Sequence, residues 1–139
     1  MEITANAVQT VAANQNVIFT DTAVCGSNSI IHRDGSGITT LKGLTNQCRA
    51  RFRVFFSGNI GIPTGGEVGA ISLTLAIDGE PVSTTSMIQT PAAVEQLNNV
   101  ASAIFLDVPC GCCVQVAVRN TSTQSVLVQN ANLIIERVA

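Results

Sequence analysis

Between Cys48 and Val82 the side chains alternate with a two-residue period on either side of a Gly-rich connection. In the first run Ala50, Phe52, Val54 and Phe56 fall on one face, and Arg49, Arg51, Arg53 and Phe55 on the other. In the second run Ile71, Leu73, Leu75 and Ile77 oppose Ala70, Ser72, Thr74 and Ala76. Successive side chains of a strand point to opposite faces, so this period predicts two strands that each give one face to a core. The nucleus of that core is expected here.

The same pattern extends in both directions. Residues 1–13 read as an extended N-terminal segment, and residues 16–20 as a strand carrying Val17, Ile18 and Phe19. Ile30–Arg33 and Ile38–Leu41 flank Asp34-Gly35-Ser36-Gly37, which predicts a hairpin because Asp-Gly is a strong turn signal. Asp78-Gly79-Glu80-Pro81 predicts a second tight turn, with a returning strand over Val82–Gln89. Residues 91–98 are read either as a helical turn or as a loop, since Thr90-Pro91 marks a boundary. Val100, Ser102, Ile104, Leu106 and Val108 then alternate with Ala101, Ala103, Phe105 and Asp107. Pro109-Cys110-Gly111 ends that run. Val114, Val116 and Val118 share a face of the next strand, Asn120–Gln124 is a turn, and two further strands are expected over Ser125–Gln129 and Ala131–Val138.

About eight to ten short strands at this spacing predict an all-β chain, an antiparallel jelly-roll β-sandwich, with residues 14–139 as one domain. At 139 residues the chain is long enough for a core that needs no covalent staple.

Composition narrows the function. The chain is 46% hydrophobic and 12% charged, about half the usual charged fraction. So few charges suggest that part of the surface is covered by other copies or by a larger assembly. A net charge of −2 argues against a nucleic-acid partner. No apolar run approaches the roughly 18 residues of a membrane span, so no membrane partner is expected. MEITANAVQTV has neither a basic region nor a continuous apolar stretch, so no signal peptide is expected and synthesis is placed in a host cytoplasm. Trp and Tyr are absent, which removes the commonest platform for stacking sugars. A single His excludes a His-dependent triad or a multi-His metal site within one chain.

One family has a similar order of elements. An N-terminal strand and a small Gly-turn hairpin lead to a Phe-rich strand ending in Phe55-Phe56-Ser57-Gly58-Asn59-Ile60. A Leu/Ile strand closes in Ile77-Asp78-Gly79, and an apolar C-terminal strand ends in Leu133-Ile134-Ile135-Glu136-Arg137-Val138. Over residues 14–139 this resembles the TNF/C1q-like jelly-roll head, in its small bacterial and bacteriophage structural versions. The resemblance implies a homotrimer used as a structural or binding head. The expected function is that of a non-enzymatic virion surface protein, a trimeric bacteriophage capsid decoration or head-fibre component, with itself and capsid or other virion proteins as partners. The alternative is a C1q-like head on a bacterial cell or spore coat that binds a glycan or protein.

Few residues suggest chemistry. Arg49, Arg51, Arg53 and Phe55 form one stripe, read either as an anion- or partner-binding surface or as a solvated or inter-subunit face paired with Asp and Glu. Ion pairing suits an acidic chain better, and the stripe is the candidate trimer interface. Cys110, Cys112 and Cys113 are read as buried apolar thiols, as disulfide partners, or as zinc thiolates completed by Cys25 or Cys48. His32 reads as a turn residue. Asp78 and Glu80 are explained by turn geometry, with calcium as the other reading. Pro63-Thr64-Gly65-Gly66-Glu67 lacks the lysine and helix of a phosphate loop. No catalytic residue, metal or cofactor is expected.

Overall fold

A computed structural model describes residues 1–26, 28–43 and 49–139. Among these residues twelve strands run in order: β1 (Glu2–Ala5), β2 (Gln9–Val11), β3 (Asp21–Val24), β4 (Ile30–His32), β5 (Thr39–Lys42), β6 (Arg49–Gly61), β7 (Ile71–Ile77), β8 (Glu80–Pro81), β9 (Met87–Gln89), β10 (Asn98–Pro109), β11 (Cys113–Asn120) and β12 (Val126–Arg137). They form two sheets. The first has the order β10-β6-β12-β1-β3, with β2 also on β12; the second has the order β4-β5-β11-β7-β8, with β9 on β7. All pairings are antiparallel, and the fold is an all-β jelly-roll sandwich.

The core lies between the sheets. Phe52, Val54 and Phe56 of β6, Leu133 and Ile135 of β12, and Leu73 and Leu75 of β7 are fully buried. Phe19 joins them and meets Phe56 edge to face, with ring centroids 6.3 Å apart. Each such side chain contributes on the order of 1.5–3 kcal/mol by leaving water, so the two strands that open the sequence reading do hold the core's centre. The folded chain exposes 6877 Å2. A compact monomer of this mass exposes about 6,900 Å2, so the core closes within one chain.

Several local expectations change. Residues 1–13 contribute two strands to the first sheet, and Ile3 is completely buried there. Residues 16–20 give isolated bridges, Asn16 to Arg119 and Phe19 to Ser36, instead of a continuous strand. The returning strand over 82–89 is shortened by a 3-10 turn at Ser83–Thr85. Residues 91–97 form a loop, because Glu95 takes a left-handed φ of 67° and spends its N–H on the Ile62 carbonyl, 2.8 Å away. The lead-in at 44–48, Cys48 included, lies outside the described residues.

The last two expected strands are one strand with a bulge. Gln129 pairs with Asn59 and Asn132 with Ser57, so Asn130 and Ala131 share the space opposite Gly58. The extra residue reverses the phase. Val126 and Val128 point inward before it, and Ala131, Leu133 and Ile135 after it. Asn130 carries the left-handed backbone that the bulge requires, φ 55°.

Asp78-Gly79 forms the β7–β8 turn with both φ values positive, 51° and 84°, as a two-residue hairpin of matching twist demands. Asp78 Oδ1 also accepts the Gln115 N–H at 2.9 Å, and the Arg119 guanidinium donates to the Gly79 carbonyl at 2.7 Å.

Candidate functional site

The outer face of the first sheet gathers the stripe singled out in the sequence. Arg49, Arg51, Arg53 and Phe55 all point outward from β6, away from the buried Ala50, Phe52, Val54 and Phe56. The neighbouring strands bring residues that the β6 sequence does not contain. β10 places Asp107 opposite Arg51, Phe105 opposite Arg53 and Ala103 opposite Phe55. β12 places Glu136 opposite Arg53 and Ile134 opposite Phe55, and through β1 the row continues from Ile134 to Glu2 and Val24.

The face is therefore zoned along the strands. One end is charged and paired. Asp107 accepts from Arg51 Nε at 2.8 Å and lies 3.4 Å from Arg49, while Arg53 reaches Glu136 at 3.3 Å. The Arg51 hydrogen bond, and then the Arg51 and Arg49 charges, hold the Asp107 carboxyl below its usual range, with desolvation opposing; Arg51 is raised in turn. The stripe thus contains ion pairs, two carboxylates against three guanidiniums, with Arg49 and Arg51 sharing Asp107. Apolar side chains adjoin it: Phe105, 63% exposed, stands in the row of Arg53 and Glu136, and in the next row Phe55 and Ile134 are partly covered and Val24 is 55% exposed, with Glu2 between Ile134 and Val24. Arg53 lies over the Phe55 ring, 5.7 Å from its centroid, and joins the two zones. The other end is neutral and polar, with Ser57, Asn59, Asn99 and Asn132. The alternation at 100–108 already assigns Phe105 and Asp107 to one face. Their placement against the arginines depends on register, which alternation does not specify.

The cysteine reading needs correction. Cys110, Cys112 and Cys113 are exposed instead of buried, as is Cys25. The reason is local: a tight turn, closed by the Cys112 N–H on the Pro109 carbonyl at 3.0 Å with Gly111 at φ 78°, lifts them off the end of β10. Among the described residues no three His, Cys, Asp or Glu side chains are grouped to hold a metal ion. His32 is a hairpin residue: its side chain is buried, Nε2 lies 3.0 Å from the Ser36 carbonyl oxygen, and its ring meets Phe19 edge-on.

At the opposite end of the sandwich from the cysteines is an open cavity of about 430 Å3, lined by Pro63, Thr64, Gly65, Gly66, Glu67 and residues 123–125. Both ends of the Gln124 side-chain amide bond Glu67, Oε1 accepting from the Glu67 N–H at 3.0 Å and Nε2 donating to the Glu67 carbonyl at 2.8 Å. Thr64 donates to the Glu95 carboxylate. The Gly-rich loop therefore forms one wall of a polar hollow whose other wall, 123–125, shows in the sequence only as turn composition.

No protein-family model matches the chain, and no curated protein matches its sequence. Among solved structures it is similar to the globular domain of zebrafish complement 1qA protein, with TM-score 0.67 and 13% identity over 99% of this chain and 95% of that one. It is similar as well to murine APRIL in a crystal structure at pH 5.0, with TM-score 0.59 and 9% identity over 95% of this chain and 96% of that one. At these identities the likeness is one of fold, and the fold is the TNF/C1q-like jelly roll.

Proposed function

We propose that the chain is a structural, non-enzymatic head that works as a homotrimer closed through the outer face of the first sheet. The observation that carries this reading is the exposed apolar group on that face, Phe105 and Val24 uncovered beside Phe55 and Ile134, set among ion pairs at one end and amides at the other. Exposed apolar groups with polar margins suit interfaces between proteins. A closed ring covers such a face without the open-ended growth of a non-closing contact. The low charge fraction, 12%, points the same way. The setting we propose is the surface of a virus particle, as a bacteriophage capsid decoration or head-fibre component held by capsid or other virion proteins.

Light scattering at micromolar concentration tests the assembly; a mass three times that of the chain is expected, and a stable monomer would sink the trimer. Peptide mass spectrometry of purified particles tests the setting independently, because absence of the chain from the particle removes the virion role whatever its oligomeric state.

The polar hollow at Pro63–Glu67 and 123–125 favours a second reading, a head on a bacterial cell or spore surface that binds a glycan or protein. Its hydroxyl, amide and carboxylate lining suits a polyhydroxylated ligand held by hydrogen bonds. Titration of the protein with oligosaccharides, followed by calorimetry, tests it, with Gln124→Ala expected to abolish any heat of binding.

A further inference from the structure

Arg49, Pro109 and Arg137 end their strands together, and the described cysteines lie at that same end of the sandwich. Cys110, Cys112 and Cys113 sit on the β10–β11 turn, and Cys25 follows Val24 at the end of β3. The turn is bonded to Gly43. Gly43 donates its N–H to the Cys112 carbonyl at 3.1 Å and accepts from the Gly111 N–H at 3.3 Å. A side chain on Gly43 would run into the Pro109 carbonyl, so only glycine permits the approach.

Cys113 differs from its neighbours in what faces it. It opens β11 directly opposite Lys42 of β5. Directly opposed residues have Cβ atoms about 5 Å apart on the same face of a sheet. Leu41 and Val116 are buried, so Lys42 and Cys113 share the outer face of the second sheet, turned away from the proposed assembly face. Cys113 is also poorly placed to bond its neighbour. Consecutive Cα atoms lie about 3.8 Å apart, whereas disulfides usually span roughly 4.4–6.8 Å between Cα atoms. Five cysteines are an odd number, so complete pairing within one chain always leaves one thiol over.

We propose that the β10–β11 turn is a thiol–disulfide exchange site, at which a small anionic disulfide of the glutathione type reacts with Cys113 and two copies of this chain become joined. The Cys113 thiolate of one copy attacks a sulfur of the small disulfide. Its S–S bond breaks, a mixed disulfide forms, and the small thiolate leaves and takes a proton from water. The Cys113 thiolate of a second copy then attacks the protein sulfur of the mixed disulfide and displaces the second small thiolate. Two protein thiols are oxidised by two electrons, and one small disulfide is reduced to two thiols. Lys42 draws the anionic disulfide to this sulfur. The chemistry does not require the trimer; where the trimer forms, the linkage joins one trimer to another, because Cys113 faces outward from the second sheet.

The test uses the purified, reduced chain freed of reductant and incubated with oxidised glutathione. Intact mass, peptide mapping and a non-reducing denaturing gel follow the products. A glutathionyl group on Cys113 is expected first, then a dimer band that dithiothreitol removes. Cys113→Ser should lower the dimer yield about tenfold, while Cys25→Ser leaves it unchanged. Lys42→Glu, on the surface, should slow oxidised glutathione by about threefold to tenfold and speed cationic cystamine, leaving neutral hydroxyethyl disulfide unaffected. Equal dimer yield from Cys113→Ser would overturn the proposal, as would a final Cys110–Cys113 bond within one chain. Rates for the three disulfides that ignore Lys42→Glu would overturn the role of Lys42. Light scattering on reduced protein reads the trimer separately, so failure of either idea is recognised without the other.

Discussion

Arg51 and Asp107 stand directly opposite each other on β6 and β10, and the guanidinium forks onto the carboxylate, Nε to Oδ1 at 2.8 Å and Nη2 to Oδ2 at 3.2 Å. Because the Arg51 bond holds the Asp107 carboxyl below its unfolded value, the pair contributes fully above the ordinary aspartate pKa of about 3.9 and is lost as pH falls through the lower folded value. The urea midpoints of wild type and Asp107→Asn should therefore differ at neutral pH and converge on acidification below about pH 3.9. The difference should be small and should shrink in high salt, since both side chains are partly exposed. A gap that widens on acidification would contradict the pairing.

Phe105, 63% exposed, is a fully outward-facing phenyl on the first sheet and is not among the core residues between the sheets. Phe105→Asp should therefore move the light-scattering mass to that of a single chain. Monomer stability should stay within about 0.5 kcal/mol, as for other surface substitutions. Association that survives this change would place the interface elsewhere.

Asn120 is a buried amide that ties three segments together. Its Nδ2 donates to the Val11 and Gln124 carbonyls, both at 2.9 Å, and its Oδ1 accepts the Ser122 N–H at 2.9 Å. Asn120→Ala leaves three polar groups to find new partners at about 1–3 kcal/mol each, so a loss of at least about 3 kcal/mol is expected in denaturant unfolding. A loss below about 1 kcal/mol would mean that water replaces the amide.

Much of this architecture is legible in the chain, for reasons that differ by element. β6 and β10 are long, unbroken and wet on one side, so alternation alone assigns Phe52 to the core and Phe105 to the surface. The hairpins at Asp34-Gly35 and Asp78-Gly79 show in their turn chemistry. Asn120 does not show, because an asparagine at a strand end followed by Thr and Ser reads as an exposed turn, and its three partners are brought together only by the tertiary fold. The candidate face is half legible: the arginines share a stripe by periodicity, but Asp107 and Glu136 meet them through strand register. Of the three readings of the β10–β11 thiols, burial rests on composition, since cysteine is often buried; the Pro-Cys-Gly turn that exposes them is a local backbone effect that outweighs this tendency.

The β12 bulge bears on how such a chain can change over generations. Asn130 and Ala131 together occupy the place of one residue, so every side chain beyond them takes its inside or outside position from that single added step. Losing one residue there would turn Glu136 toward the interior and Leu133 and Ile135 toward water, or force the same inversion on Val126 and Val128. Losing or gaining two would preserve the phase. At this point of the chain, insertions and deletions are therefore filtered by parity: descendants of this fold can vary by even steps where odd ones are eliminated.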